Sequence, residues 1–224
     1  MKQRSLFVRY GISTLGMVLA ALGVGLSIKS NLGIAPLSCI PTVLSLQFTH
    51  ISIGTFTWIF NLMFIVLQAA ILRKDFKWTH LLQVVPILIF GYLIDGAIWL
   101  FDALEAPAAS YPVQLALCLG AVLLTAVGIR TEVDGGGWIL PVDSTLNVLS
   151  ERLPLSFGTI KVLMDVSLVT LTAALALVFF GLLTGNGTTV VIREGTLIQA
   201  LLTGLCMKLT DPIVDRIFGN FPQK

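Results

Sequence analysis

Residues 23–61, GVGLSIKSNLGIAPLSCIPTVLSLQFTHISIGTFTWIFN, are echoed by residues 128–165, GIRTEVDGGGWILPVDSTLNVLSERLPLSFGTIKVLMD. Gly23 matches Gly128 and Pro36 matches Pro141, both at a spacing of 105, and Val43, Leu44 and Ser45 match Val148, Leu149 and Ser150. One residue then drops out. Ser52-x-Gly54-Thr55 matches Ser156-x-Gly158-Thr159, and Asn61 falls on Asp165. Farther along, Gln83 and Asp95 fall on Gln199 and Asp211 at a spacing of 116. In a membrane protein such repetition predicts two pseudo-symmetric halves with a site between them.

Composition places the chain in a membrane. It is 56% hydrophobic and 12% charged, with a mean hydropathy of +0.93, whereas soluble domains carry roughly 25% charged residues. Residues 10–28 are 19 positions without a charge, between Arg9 and Lys29. At ~1.5 Å per residue they cross a hydrocarbon core of ~30 Å. This run exceeds the ~7–15 apolar residues of a signal peptide, and no small-x-small cleavage site follows it, so a retained first helix is expected. Cys39, Cys118 and Cys206 stand alone in apolar stretches and form neither a disulfide framework nor a metal motif. The net charge of +2 comes without a basic patch interleaved with aromatics, which argues against a nucleic-acid partner. Gly-x-Ser-x-Gly, His-Glu-x-x-His and Gly-x-x-x-x-Gly-Lys are absent. The reading is therefore of a non-enzyme without cofactor or metal.

Six spanning helices are expected, at 8–29, 51–72, 79–101, 111–130, 156–183 and 195–218. Two uncharged or broken segments separate them. Residues 30–50 contain Asn31, Gly33, Pro36 and Pro41, and residues 131–155 contain Gly135-Gly136-Gly137, Pro141 and Pro154. Charge placement decides whether these segments cross. If they do not, and the N-terminus is cytoplasmic, Lys2, Arg4, Arg9, Arg73, Lys74, Lys77, Arg130, Arg152, Arg216 and Lys224 all fall inside. Outside are Lys29 and Arg193, beside Asp102, Glu105 and Glu194. That obeys the positive-inside rule, and a full extra span at 30–50 would break it. Three spans per half is an odd number, so the second half enters the membrane upside down. The expected fold is all-α: two inverted three-helix repeats, residues 1–105 and 106–224, each with an interrupted short helix.

Pro36 and Pro141 stand where a short helix would begin. Val142, Leu146, Leu149 and Leu153 form an apolar helical stripe, beside a polar stripe of Asp143, Asn147 and Ser150. Ser38, Thr42 and Ser45 are the equivalents in the first copy. Two readings are open. The segments are re-entrant half-helices whose free N-terminal amides face a ligand, or they lie flat in the interface with the polar stripe to water. Within span five, Lys161 and Asp165 are spaced to pair at i, i+4. They form either an internally neutralised pair or a ligand-binding group, since intramembrane charges are costly and face cavities. Asp95 and Asp211, like His50 and His80, lie near span ends and read as interfacial. Glu194 opens span six, where an acid suits the helix dipole.

Several of these motifs carry a resemblance. Gly23-x-Gly25-Leu26-Ser27-Ile28-Lys29-Ser30-Asn31-Leu32-Gly33 with Pro36, Ser52-Ile53-Gly54-Thr55 and Gly91-Tyr92-Leu93-Ile94-Asp95 lie in the first half. Gly135-Gly136-Gly137, Ser156-Phe157-Gly158-Thr159 and Arg193-Glu194-Gly195-Thr196 lie in the second. In order and spacing the chain resembles the bacterial YczE/YyaS/YitT-type integral membrane proteins over about residues 9–215. Where that family often has Pro-Trp-Asp, this chain has Pro36-Leu37-Ser38, and the acid stands only in the second copy, at Asp143. The resemblance implies a multi-pass protein of the bacterial inner membrane, and it marks Arg193 and Glu194 as family features.

Together these readings predict a small-solute transporter with both termini cytoplasmic. Ser38, Thr42 and Asn61 would face Asp143, Asn147, Lys161 and Asp165 across the site. Asp143 and Asp165 are the candidates for proton or cation coupling, and Arg193 and Glu194 are added on the resemblance. The expected partners are the lipid bilayer, an unidentified small molecule, and a second copy or another subunit. The other function carried forward is a non-transporting membrane partner, such as a substrate-binding subunit or an accessory of a membrane complex.

Overall fold

The computed structural model describes residues 5–104, 110–153, 155, 157–182, 186, 189–203, 205 and 206. These form helices α1 (Leu6–Ser30), α2 (Pro36–Gln47), α3 (Ile53–Leu72), α4 (Val84–Ala103), α5 (Tyr111–Gly135), α6 (Pro141–Arg152) and α7 (Phe157–Phe180). An eighth helix, α8, opens at Glu194 and runs through residue 203. Two 3-10 segments, Arg73–Asp75 and Trp78–Gln83, join α3 to α4. No strand occurs among the described residues. The side chains of Asp143 and Asn147, and the whole of Ser156 and Asp211, lie outside the described residues.

Five helical stretches are long and apolar enough to cross a membrane: Leu6–Ser30, Ile53–Asp75, His80–Ala103, Tyr111–Gly135 and Thr159–Phe180. The sixth expected span, 195–218, begins in α8, and its residues 207–218 lie outside the described residues. Helices α2 and α6 have 12 residues each. At about 18 Å long they fall short of a ~30 Å hydrocarbon core. The outward side chains of the long helices are apolar, with Val66, Tyr92, Val166 and Val178 all more than half exposed. In water such surfaces associate, and in a bilayer they meet lipid tails.

One boundary differs from the sequence expectation. Helix α5 does not stop at residue 130 but continues to Gly135, taking Thr131, Glu132 and Asp134 into its last turns. It ends because Gly136 takes a left-handed conformation (φ 59°, ψ 19°) and donates its N–H to the Val133 carbonyl. Helix α1 ends the same way at Asn31 (φ 54°, ψ 22°), which donates to the Ile28 carbonyl.

Helices α1 and α5 pack against each other antiparallel, at backbone distance. A Cβ added to Gly16 would come within 2.6 Å of the Gly128 carbonyl oxygen, and one on Gly128 within 2.8 Å of the Ala20 Cα. A Cβ on Gly23 would lie 2.8 Å from the Thr125 amide nitrogen and 3.0 Å from the Ala121 carbonyl oxygen. Without a hydrophobic driving force between helices in lipid, such close van der Waals contact is what holds them. Helix α4 packs on α1 and α3. Each short helix touches both α3 and α7: α2 lies chiefly against α7, and α6 against α3. These four helices share one apolar core of Ile40, Phe60, Phe64, Val142, Leu146, Ile160 and Leu168.

Candidate functional site

The chain breaks between α1 and α2 because Asn31 and Gly33 (φ 110°) both adopt positive φ, after which Pro36 restarts a helix. The broken segment is fastened by backbone and amide groups of the far end of the chain. Ile34 N–H donates to the Val191 carbonyl at 2.9 Å, and Gly195 N–H donates to the Leu32 carbonyl at 2.8 Å. The Asn31 Oδ1 accepts from Val190 N–H at 2.8 Å. Buried Gln199 donates to the Gly33 carbonyl at 2.9 Å while accepting from the Ser27 hydroxyl at 2.9 Å.

The second break, residues 136–140, is fastened differently, by side chains of α1 and α5. Arg9 donates to the Gly136 carbonyl. The Ser13 hydroxyl accepts from Gly137 N–H at 3.0 Å and donates to the Glu132 carbonyl at 2.9 Å. Trp138 donates its indole N–H to Thr14 at 3.3 Å and packs on Tyr10 with ring centroids 4.6 Å apart. The buried Glu132 carboxylate accepts from Leu140 N–H at 3.2 Å, and Asp134 pairs with Arg130 at 3.1 Å. Ending the fourth span at residue 130 left Glu132 and Asp134 in the broken segment 131–155 and missed this role. Adding 105 to the bounds of α1 would have placed them inside a helix.

Of the predicted polar stripe on α2, Ser38 and Thr42 are buried and Ser45 is half-buried. Residues Pro36, Ser38, Cys39, Ile40, Pro41, Thr42 and Val43 are all buried, so this part of α2 does not present a polar face to water. The interfacial reading therefore does not describe it. Thr42 donates its hydroxyl to the Ser38 carbonyl at 2.8 Å. On α3 a polar stripe of Thr57, Asn61 and Gln68 is likewise buried. Gln68, unremarked in the sequence, reaches α6, donating to the Pro141 carbonyl at 2.9 Å. The positions 104 residues later, Lys161, Asp165 and Thr172, form the matching stripe of α7. Asp165 and Thr172 are buried. Lys161 bonds Asp165 at 3.1 and 3.3 Å.

Thus Ser38, Thr42, Asn61, Lys161 and Asp165 all lie on the four helices that share the central core. Arg193 and Glu194 do not join them. They pair with each other at 2.9 Å with side chains 38% and 40% exposed, at the start of α8 beside the 31–35 break. Asp95 acts locally as well. Its carboxylate accepts from the Ser52 hydroxyl at 2.6 Å and from Gly54 N–H at 2.8 Å, capping α3. No group of His, Cys, Asp and Glu able to hold a metal occurs among the described residues.

Five helices long and apolar enough to cross a membrane, around a core with buried polar side chains, are the features of a multi-pass membrane protein. Residues 7–212 match the model of a family of unknown function, DUF6198, and the chain belongs to that family. No curated protein matches the chain. No solved structure matches it.

Proposed function

We propose that the chain is a small-solute permease of the bacterial inner membrane, with its site among α2, α3, α6 and α7. The observation that carries this reading is the pair of short helices, too short to span, held against the long helices of a core that buries Asn61 and Asp165. Broken helices at membrane depth are tolerated where they pack in protein or line a cavity, and in transporters they build the substrate site.

The proposal includes the inverted repeat, residues 1–105 and 106–224, with a sixth span continuing α8 and both termini cytoplasmic. Helices α1 and α5 have the same length of 25 residues, and α2 and α6 the same length of 12. Both pairs begin 105 positions apart. A two-fold axis also requires contacts to come in exchanged pairs. The Gly16–Gly128 contact converts into Gly23–Ala121 by that offset, and Gly23–Thr125 converts into Ala20–Gly128, and all four occur. Kinship with the YczE/YyaS/YitT-type proteins is part of the same proposal.

The test is solute uptake by the full chain in proteoliposomes and in cells overproducing it, screened across chemical classes. Asp165→Asn and Asp143→Asn are expected to reduce uptake at least tenfold at unchanged membrane abundance. Uptake unaffected by both changes would show that the site lies elsewhere. Stoichiometric co-purification of an ATPase, with no autonomous uptake, would replace this reading by that of a substrate-binding subunit.

A further inference from the structure

Most lysines and arginines among the described residues are engaged inside the protein. Lys29 pairs with Asp102, Arg130 with Asp134, Arg152 with Asp75, Lys161 with Asp165 and Arg193 with Glu194, and Arg9 donates to the Gly136 carbonyl. Arg73, Lys74 and Lys77 are the exception. All three are exposed, and none has an ion-pair partner among the described residues. They are also neighbours, because Arg73 and Lys74 lie in the 3-10 turn Arg73–Asp75 that leaves α3, and Lys77 caps the 3-10 segment Trp78–Gln83 that leads into α4. The one acid of this turn, Asp75, is taken by Arg152, so it does not offset them. The turn joins two stretches long and apolar enough to cross a membrane, Ile53–Asp75 and His80–Ala103, which puts it at a bilayer face, at the level of the lipid headgroups. Beside the cations, Trp78 is 85% and Leu82 65% exposed. The same turn reaches both ends of α6. Asp75 holds Arg152 at one end, and at the other Gln68 donates both to Gln83, at 3.2 Å, and to the Pro141 carbonyl, at 2.9 Å.

We propose that the α3–α4 turn is a docking surface for anionic phospholipid headgroups. Arg73, Lys74 and Lys77 meet the phosphates, and Trp78 and Leu82 enter among the acyl chains beneath them. Cations beside a membrane gain from the negative surface potential of anionic lipids, and an indole suits the boundary between headgroup and acyl chain. A zwitterionic headgroup matches less well, because it brings its own ammonium beside the phosphate. A soluble anion would use the cations and leave the exposed Trp78 and Leu82 without a partner. Because the turn touches α6 at both ends, headgroups seated on it also hold the second broken helix in place. This surface is separate from the proposed solute site, and its test does not depend on transport.

The experiment is a thermal-stability titration of the full chain in neutral detergent micelles doped with phospholipid. Phosphatidylglycerol replaces phosphatidylcholine at constant total lipid. A ligand that binds the folded state raises Tm saturably, and that rise is expected here. Potassium chloride at ~1 M, where the Debye length is ~3 Å, should abolish it. Lys74→Gln and Lys77→Gln should each raise the half-maximal fraction of phosphatidylglycerol about fivefold, the share of one cation. The triple variant Arg73→Gln/Lys74→Gln/Lys77→Gln should lose the response, whereas Arg73→Lys, which keeps the charge, should respond as the wild type does. These side chains are exposed, so every variant should match the wild-type Tm in phosphatidylcholine alone, and the single variants carry the test even if the triple variant does not fold. No phosphatidylglycerol response in the wild type overturns the proposal, as does an unchanged half-maximal fraction in both single variants. Sodium phosphate and hexaglutamate, added to phosphatidylcholine micelles, should leave Tm unchanged. A rise with either one equal to that with phosphatidylglycerol overturns the lipid assignment, in favour of a soluble anion or an acidic peptide.

Discussion

Asn61 and Asp165 stand at equivalent positions of α3 and α7, and both are buried. Asn61 satisfies its N–H on its own helix and leaves its oxygen bare. Replacing it with leucine removes that unpaired group and adds apolar contacts near Phe60 and Phe64. Asn61→Leu is therefore expected to leave Tm unchanged or raise stability by about 1 kcal/mol, while uptake falls. A large loss of Tm would show that the amide is structural. Asp165 was legible as a buried acid from sequence, because its pairing with Lys161 follows from i, i+4 spacing. The bare oxygen of Asn61 was not legible, since it depends on what the neighbouring helices fail to offer.

At the scale of elements, helix ends and helix contacts separate cleanly. Asp95 caps α3 through Ser52 and Gly54. Losing a charge-assisted cap at a partly exposed helix start costs about 1 kcal/mol, so Asp95→Ala should lower Tm by a few degrees without altering substrate affinity. Between α1 and α5, glycine is required by space. Gly16→Leu would force the two backbones apart and should cost about 3 kcal/mol, the upper range for overpacking. The control is Gly96, also helical, where an added Cβ meets nothing within 4 Å. Gly96→Ala should be neutral or stabilise by up to about 1 kcal/mol. Thermal unfolding of both variants in detergent checks the pair, and equal losses would contradict close α1–α5 packing. The two breaks also differ in kind. Residues 31–35 are held by two backbone–backbone hydrogen bonds together with the side chains of Asn31 and Gln199. Residues 136–140 are held by Arg9, Ser13, Thr14 and Glu132, side chains that can let go one at a time.

At the scale of the whole molecule, the proposed orientation rests on charge placement. Asp102 lies on the lysine-poor side, paired with Lys29, and Asp75 lies in the Arg73–Lys77 cluster, paired with Arg152. Their side chains are 57% and 67% exposed. With Cys39, Cys118 and Cys206 replaced by alanine, Asp102→Cys should react with an impermeant maleimide in intact cells. Asp75→Cys should react only after permeabilisation. The opposite pattern would reverse the assigned orientation, and labelling of both in intact cells would remove the membrane arrangement altogether.

The sequence by itself determined the membrane class, the helix count up to the described limit of α8, and the position of the two breaks. These follow from composition, proline and glycine placement, and a 105-residue self-match, all of which act locally along the chain. Only the tertiary structure decided where α5 ends, that Ser38 and Thr42 of α2 are buried, and that Arg193 and Glu194 pair with each other at the start of α8. The end of α5 is set by the left-handed turn at Gly136, and the other two depend on which distant helices pack together. Glu132 looks like a loop charge in the sequence, and it becomes a buried acceptor for Leu140 because α1 covers it and Gly136, not the charge, terminates its helix. Burial belongs to pairs of surfaces, and a linear pattern records only one surface of each pair.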